Sequence, residues 1–266
     1  MLSHIVGIVS GGASGLGAAT AASLLKHGGK VVVADLPSQR AAFEQLAASV
    51  AGSSSALSFA EADVTNPDQI ARALDMAEEQ FGAPVNAAIN CAGIGLARKI
   101  VSVKRGTDEV KVHPLEEFSK IMRVNVDGTF NVARLAAERM IKRENGSDGI
   151  KGCIINTASI AAYDGQIGQC AYGASKGAIA SLTLPMARDL SSQGIRVMTI
   201  APGLFQTPLL DGLPDAVKAE LGATVPLPSR LGDPAEFGQL VVSILTNPML
   251  NGEVIRLDGA IRMPPK

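Results

Sequence analysis

The sequence is poor in aromatic residues and cysteine, and its charges are balanced. Its 266 residues include no tryptophan, two tyrosines and three cysteines, and the formal net charge is −1. A strongly basic chain, the usual sign of nucleic-acid binding, is therefore excluded. Apolar runs stay below the roughly 18 uncharged residues that indicate a transmembrane helix. We therefore expect no membrane span. A strand-like run has already begun by Ile5, so we expect no secretory signal either.

The cysteines are too few and too scattered for a disulfide framework. Cys91, Cys153 and Cys170 are odd in number and lie in or beside apolar runs, which predicts buried free thiols in a reducing, intracellular compartment. Cysteines and histidines lack the spacing of a zinc site, so we predict no metal. A Ser-His-Asp hydrolase is disfavoured because no nucleophile elbow accompanies any of the three histidines.

Apolar runs of strand length alternate with helix-like stretches along the whole chain. These strands are apolar throughout, which is typical of a parallel sheet buried on both faces. We predict a single α/β domain over residues 1–266, a Rossmann-type doubly wound parallel sheet of about seven strands with helices on both faces. Two long irregular stretches, 94–113 and 203–231, are expected to be functional loops, the second a substrate loop. Pro185 is expected to kink or shorten its helix.

The first strand runs directly into the glycine-rich stretch "SGGASGLG". Gly11, Gly15 and Gly17 would let the backbone turn tightly and approach a pyrophosphate, with the amides of the next helix aimed at it. Their G-x-x-x-G-x-G spacing differs from the commonest dinucleotide fingerprint. A plain tight turn is the alternative interpretation.

An acid at the end of the second strand favours the dinucleotide interpretation. Asp35 follows Gly17 by 18 residues, where a carboxylate can accept hydrogen bonds from adenosine ribose hydroxyls. The carboxylate would repel a 2′-phosphate, so the predicted cofactor is NAD rather than NADP. An ordinary surface aspartate is the alternative. "ADVT" (62–65) and "NCAG" (90–93) follow the next two strands, at the edge of the sheet where such folds bind ligands, although Asn90 could equally form a turn.

A tyrosine, a lysine and a serine form the candidate catalytic group. Tyr172 and Lys176 are four residues apart in "AYGASKGAIA", so on a helix they share a face. Ser159 ends the fifth strand, and strand end and helix start can converge. A phenol with a pKa of about 10 is a poor base, and a cation about 4 Å away can supply the roughly 4 kcal/mol that lowers this pKa by about three units. The alternative is a chance pair on a packed helix and a serine that caps a turn.

With the glycine loop, Asp35, "NCAG", Ser159 and "YGASK" in this order, the chain resembles the short-chain dehydrogenase/reductase family over nearly its whole length. Within the family, "GIRVMTIAPGLFQTPLL" and "NGEVIRLDGAIRM" are similar to dehydrogenases of 3-hydroxyacyl-CoA. The resemblance implies an NAD-dependent homotetramer, in the mitochondrial matrix of a eukaryote and otherwise in the cytoplasm.

The resemblance also implies roles for individual residues. Tyr172 would be the general acid/base, Ser159 would orient the substrate oxygen, Lys176 would hold the nicotinamide ribose and lower the phenol's pKa, and Asn125 would support a proton-relay water. Gln166 would contact the substrate. The remaining matches to NAD-contacting positions are Ser14, Leu16, Asp35, Asp63, Val64, Cys91, Phe205 and Thr207.

The sequence therefore predicts an NAD-dependent enzyme that interconverts a secondary alcohol and a ketone, with (S)-3-hydroxyacyl-CoA and 3-oxoacyl-CoA as the expected pair. Oxidation of a hydroxysteroid or another alcohol in the same pocket is the second hypothesis. A third, from a different class, is a binding or scaffold subunit whose catalysis is incidental. The complete set of catalytic residue types argues against the third.

Overall fold

The computed structural model describes residues 1–50, 52, 54–210 and 212–265. Its strands are β1 (Val6–Ser10), β2 (Lys30–Asp35), β3 (Leu57–Glu61), β4 (Ala87–Asn90), β5 (Val101–Val103), β6 (Val110–Val112), β7 (Gly152–Thr157), β8 (Ile195–Pro202) and β9 (Val254–Leu257). In the described part of the chain, seven of these strands form one parallel sheet in the order β3-β2-β1-β4-β7-β8-β9. The other two, β5 and β6, form a separate antiparallel hairpin.

Helices cover both faces of the sheet. They are α1 (Gly15–Lys26), α2 (Arg40–Ser49), α3 (Pro67–Phe81), α4 (Leu115–Met122), α5 (Gly128–Ile141), α6 (Cys170–Ser191), α7 (Asp215–Ala223) and α8 (Pro234–Thr246). Apolar residues of α1, α2 and α8 pack in the core on one face, and those of α3, α5 and α6 pack in the core on the other. The predicted doubly wound α/β fold is confirmed.

Strand β2 shows why this sequence gives a sheet with two buried faces. Successive side chains of a strand point to opposite faces, so a strand covered on both sides must be apolar at every position. Val31 and Val33 pack in one core and Val32 and Ala34 in the other, and all four are fully buried.

The stretches expected to be irregular contain secondary structure, and one local prediction, the burial of Cys170, is wrong. Residues 94–113 include the β5–β6 hairpin, and residues 203–231, apart from residue 211, which lies outside the described residues, include α7. Helix α6 continues past Pro185 to Ser191, so the proline does not shorten it, and the expected kink stays a prediction. Cys170 is an exposed thiol rather than a buried one, because it begins α6 at the surface.

The strand order reverses between β1 and β4, which opens a crevice at the carboxyl ends of these strands. Asn90, the last residue of β4, is buried there and joins three strands. Its Oδ1 accepts a hydrogen bond from Ser10 Oγ at 3.2 Å, and its Nδ2 donates to Asn156 Oδ1 at 2.9 Å. Asn90 is therefore a cross-strand link at the base of the crevice, and its interpretation as a turn residue is wrong.

Candidate active site

The glycine loop brings the start of α1 to the crevice. Gly11 has a φ of +65°, and a Cβ there would lie 2.6 Å from the main-chain nitrogen of Ala92. A Cβ on Gly17 would collide with the carbonyl group of Gly11. Both positions therefore require glycine, and the loop closes against the chain that leaves β4.

The first turn of α1 is suited to an anion. In the described residues, Ser14 occupies the N-cap without a side-chain hydrogen bond to the amides of the helix. The first N–H groups of a helix lack partners within the helix, and they attract anionic groups such as phosphate. The glycine loop and the first turn of α1 therefore fit the pyrophosphate of a dinucleotide.

A cleft of about 600 Å³ extends from this loop along the carboxyl edge of the sheet. Twelve of the thirteen residues predicted to bind the cofactor line it: Gly11, Ser14, Gly15, Leu16, Gly17, Asp35, Asp63, Val64, Cys91, Tyr172, Lys176 and Thr207. The thirteenth, Phe205, is buried and lines the neighbouring apolar cavity instead.

Asp35 is held in the cleft, beside the glycine loop, by main-chain amides. Its Oδ2 accepts from the amide of Ala13 at 3.0 Å and its Oδ1 from that of Leu36 at 2.9 Å. Burial raises the pKa of this carboxyl, and the two hydrogen bonds lower it, with a net rise. Arg40, the nearest arginine along the chain, pairs with Glu61 at 2.9 Å, so its charge is already matched by an acid.

Ser159, Tyr172 and Lys176 converge where β7 ends and α6 begins. Ser159 is buried, and its Oγ accepts from the amide of Ala161 at 3.1 Å, which holds the hydroxyl at the start of a 3₁₀ turn. Lys176 is buried too, and its ammonium donates to the carbonyl oxygen of Thr157 at 2.8 Å. The Nζ atom lies 5.7 Å from the centroid of the Tyr172 ring. The structure brings the three predicted groups together.

The pKa of the phenol differs from the sequence-based expectation. Burial raises the pKa of Tyr172, and a hydrogen bond with the Ser159 side chain lowers it, so that the net direction is upward. Burial lowers the pKa of Lys176 to about 8, against an opposing effect of Cys91. In the cofactor-free protein the direction is therefore opposite to the expected fall, because desolvation of the phenol outweighs its hydrogen bond with Ser159.

Asn125 lies in a π-helical turn, Arg123–Asp127, between α4 and α5. Its side chain forms two hydrogen bonds with the main chain of Ile94. Oδ1 accepts from the amide at 2.8 Å, and Nδ2 donates to the carbonyl at 2.9 Å. Nδ2 also donates to Ser175 Oγ at 3.0 Å. Asn125 therefore fixes one wall of the cleft beside Lys176.

A second cavity of about 440 Å³ opens on the other side of Tyr172. Its wall is mostly apolar, and it includes Ser159, Gln166 and Phe205. Tyr172 and Leu16 line both this cavity and the cleft, so the phenol stands at the junction of the two spaces.

Sequence reasoning missed four residues that contribute to this site. The Thr157 carbonyl anchors Lys176, Ser175 joins Asn125 to α6, and Met263 and Pro264 line the apolar cavity. A main-chain carbonyl leaves no signal in a sequence. Met263 and Pro264 lie 91 residues or more beyond Tyr172 in the chain, and their approach to it depends on the whole sheet.

The chain matches the short chain dehydrogenase family over residues 5–218, and it belongs to that family. The 3-hydroxyacyl-CoA dehydrogenase type-2 of Bos taurus is 53% identical over 98% of this chain and 96% of its own. The crystal structure of 3-hydroxyacyl-CoA dehydrogenase type-2 from Mycobacterium avium has a TM-score of 0.87 and 40% identity, and covers 98% of this chain and 96% of that one. A 3-ketoacyl-(acyl-carrier-protein) reductase from Brucella melitensis complexed with NADH has a TM-score of 0.82 and 26% identity, over 99% and 100% of the two chains.

The chain is accordingly an oxidoreductase of a family that uses NAD or NADP. Among the described residues, none of the helices combines the length and the apolarity needed to cross a membrane. These residues also contain no group of three or more His, Cys, Asp or Glu arranged to hold a metal ion.

Proposed function

We propose that this protein is an NAD-dependent dehydrogenase that interconverts (S)-3-hydroxyacyl-CoA and 3-oxoacyl-CoA. The observation that carries the proposal is the position of Tyr172, at the junction of a dinucleotide-sized cleft and an apolar cavity, beside Ser159 and Lys176. The names of the relatives in Bos taurus and Mycobacterium avium support the choice of substrate.

A nicotinamide bound in the cleft would accept hydride from the alcohol or donate it to the ketone. The chain supplies the proton and the orientation. The Ser159 hydroxyl holds the substrate oxygen, and the Tyr172 phenol gives its proton to that oxygen during ketone reduction. A raised pKa keeps the phenol protonated at neutral pH, which is the form that reduction requires.

Lys176 and Asn125 organise the space behind the phenol. The ammonium of Lys176 lies on the cleft side of the ring, where it would hold the ribose and favour the phenolate during oxidation of the alcohol. Asn125 keeps the main chain of Ile94 in place, which supports the predicted role of this asparagine beside a proton-relay water.

The balance of charge around Asp35 favours NAD over NADP. Asp35 lies where a 2′-phosphate would come close, and Glu61 neighbours it in register on β3. Arg40, which could otherwise neutralise a phosphate, is paired with Glu61 and lies over the ring of Phe59 at 4.8 Å. A 2′-phosphate would therefore meet net repulsion in this part of the cleft.

The β5–β6 hairpin is the proposed contact for the nucleotide part of CoA. The basic residues Lys99, Lys104, Arg105 and Lys111 outnumber the acids of the insert, Asp108 and Glu109. The amide of Arg98, at the base of the insert, donates to the carbonyl of Gly168 at 2.8 Å, beside the segment that lines the apolar cavity. This contact places the base of the insert close to the cavity.

We also propose that the protein forms a homotetramer and works in a reducing compartment. Exposed apolar side chains on the helices, among them Phe130 and Leu184, are suited to contacts between subunits. Free thiols, including the exposed Cys170, suit a reducing compartment.

The proposed function is tested by assaying the reduction of acetoacetyl-CoA by NADH, with the reaction monitored as the decrease in NADH absorbance. We expect turnover that needs Tyr172, and weaker turnover with NADPH. Failure with acetoacetyl-CoA and its longer homologues, together with turnover of hydroxysteroids, would favour the second hypothesis. NADH binding without turnover of any substrate in this panel would favour a scaffold role.

A further inference from the structure

The segment after β9 forms one wall of the apolar cavity. Residues 261–265, here called the wall segment, have an irregular backbone, and two of them, Met263 and Pro264, line the cavity together with Tyr172 and Ser159. This cavity is where the proposed acyl group lies, so the position of the wall segment fixes the space available to that group.

A small apolar cluster holds the start of the wall segment against the 3₁₀ turn that follows Ser159. Ile261 is 2% exposed and packs with Ile160 and Val225, which are equally well buried. Ile160 directly follows Ser159, and Met263 covers the same cluster. The wall segment is therefore packed on the residue next to the one that orients the substrate oxygen.

Two hydrogen bonds fasten the other end of the segment to the loop between Ser159 and α6. Gln166 Nε2 donates to the carbonyl of Pro264 at 3.1 Å, and the amide of Ile167 donates to the carbonyl of Pro265 at 3.0 Å. Gln166 itself lines the cavity. The loop and the segment thus form one continuous wall.

Arg256, on the last strand of the sheet, ties this wall together. Its guanidinium donates to Asp164 Oδ2 at 2.6 Å, to Asp258 Oδ2 at 2.7 Å and to the carbonyl of Ile261 at 3.0 Å. It also lies over the ring of Tyr163, 5.5 Å from the centroid. The planar guanidinium of Arg256 therefore joins the loop between Ser159 and α6, the turn after β9 and the first residue of the wall segment.

We propose that Met263 and Pro264 determine which acyl lengths the enzyme accepts, and that Arg256 is a positioning residue that holds them there. The proposal rests on the proposed function, because it names the residues that select among 3-oxoacyl substrates. Hydrophobic pockets discriminate by fit, and one methylene in such a pocket changes kcat/KM by about 10- to 200-fold. A wall held by charge-assisted hydrogen bonds keeps that fit constant.

The first test is Met263→Ala, assayed with NADH and a series of substrates from acetoacetyl-CoA to 3-oxohexadecanoyl-CoA. The shorter side chain widens the cavity, so kcat/KM for the longest substrate relative to acetoacetyl-CoA should rise by about tenfold or more. The KM for NADH should stay unchanged, because Met263 does not line the dinucleotide cleft. An unchanged length profile would overturn the specificity role.

The second test is Arg256→Lys, which keeps the charge but loses the fork that contacts three acceptors. We expect the same shift in length profile, and faster hydrogen exchange at the Ile167 amide, which is protected by the carbonyl of Pro265. Arg139→Lys is the matched control, because Arg139 pairs with Asp75 at 2.8 Å and lines neither space. This control should leave both measurements unchanged.

The outcomes separate this proposal from the proposed function. Wild-type protein that turns over no 3-oxoacyl-CoA would refute the proposed function and the specificity role with it. Wild-type turnover with an unchanged length profile in both variants would refute the specificity role alone. If Arg256→Lys lowers kcat/KM equally at every length, or leaves exchange at Ile167 unchanged, Arg256 does not position the wall.

Discussion

Lys176 is a buried cation, and its removal should change the stability of the protein in a way that depends on pH. The side chain is 6% exposed, and its ammonium contacts the carbonyl of Thr157 at 2.8 Å. Burial lowers its pKa from the ordinary 10.5 to about 8. We expect Lys176→Met, which keeps the length and removes the charge, to stabilise the cofactor-free protein at neutral pH.

The expected magnitude follows from the two pKa values of Lys176. At 1.36 kcal/mol per pKa unit, the difference between 10.5 and about 8 makes the buried charge unfavourable by about 3 kcal/mol below pH 8. The unfolded chain keeps this proton up to pH 10.5, whereas the folded protein releases it near pH 8. Stability therefore rises with pH, by about 2.5 kcal/mol between pH 7 and pH 10.

The variant also leaves the Thr157 carbonyl without its donor, a loss of about 1 kcal/mol that does not depend on pH. Lys176→Met should thus be more stable than the wild type by about 2 kcal/mol at pH 7, with an advantage that declines and reverses by pH 10.

Urea denaturation of the two cofactor-free proteins at several pH values, followed by circular dichroism, measures this difference. Lys30→Met is the matched control, because that ammonium also donates to a main-chain carbonyl, Phe81 at 3.4 Å, but is only partly buried. The control should show no comparable pH-dependent gain. Parallel pH profiles for wild type and Lys176→Met would refute the reasoning, as would a variant that is less stable than the wild type at pH 7.

Three further predictions concern the catalytic and binding roles. Tyr172→Phe should lower kcat for acetoacetyl-CoA reduction by about 10²- to 10⁴-fold with NADH affinity nearly intact, since only the proton donor is lost; activity within about tenfold of wild type would contradict its role. Asp35→Asn should raise kcat/KM with NADPH relative to NADH by about tenfold, because a like-charge contact is removed, and an unchanged ratio would place cofactor selection elsewhere. Lys104→Gln combined with Arg105→Gln should raise KM for acetoacetyl-CoA, more at low salt, and leave an acetoacetyl thioester without the nucleotide unaffected; an equal response of both substrates would exclude a contact with CoA.

The sequence predicts the sheet well because its signals are local and redundant. A strand buried on both faces must be apolar at every position, and β2 satisfies this with consecutive valines. Helix starts are equally local: Asn66, directly before Pro67, caps α3 by accepting from the amides of Asp68 and Gln69 at 3.1 and 3.2 Å.

Elements without a buried face are harder to predict. Strands β5 and β6 place Val101, Val103, Val110 and Val112 on one side of a ribbon, yet all four are more than half exposed. The core-facing pattern that marks the strands of the main sheet is therefore missing. Short antiparallel pairs of this kind depend on their turn and on cross-strand contacts, and these are set by the fold around them.

In the candidate site, too, some properties follow from the spacing of residues in the sequence and others from the structure packed around them. A spacing of four residues from Tyr172 to Lys176 suffices to place both groups on one face of α6, which the structure confirms. Their pKa values depend on burial instead, and burial comes from chain segments far away in sequence, such as Gly93 beside the ammonium. Spacing predicted which side chains lie together, while the direction of the phenol's pKa follows from the packed structure.

Burial acts in one sense on three ionisable groups that line the cleft. The pKa values of Asp35 and Tyr172 are raised and that of Lys176 is lowered, so each group is shifted toward its neutral form. A group that is costly to charge in the protein alone gains most from a partner of opposite charge or a hydrogen-bonding ligand. Part of the stability lost at Lys176 is therefore recovered when a ligand binds, since a ligand that favours the charged form stabilises the folded state by linkage. Desolvation of Lys176 therefore lowers the stability of the cofactor-free protein, and it also makes this lysine a selective contact for the ligand that fills the cleft.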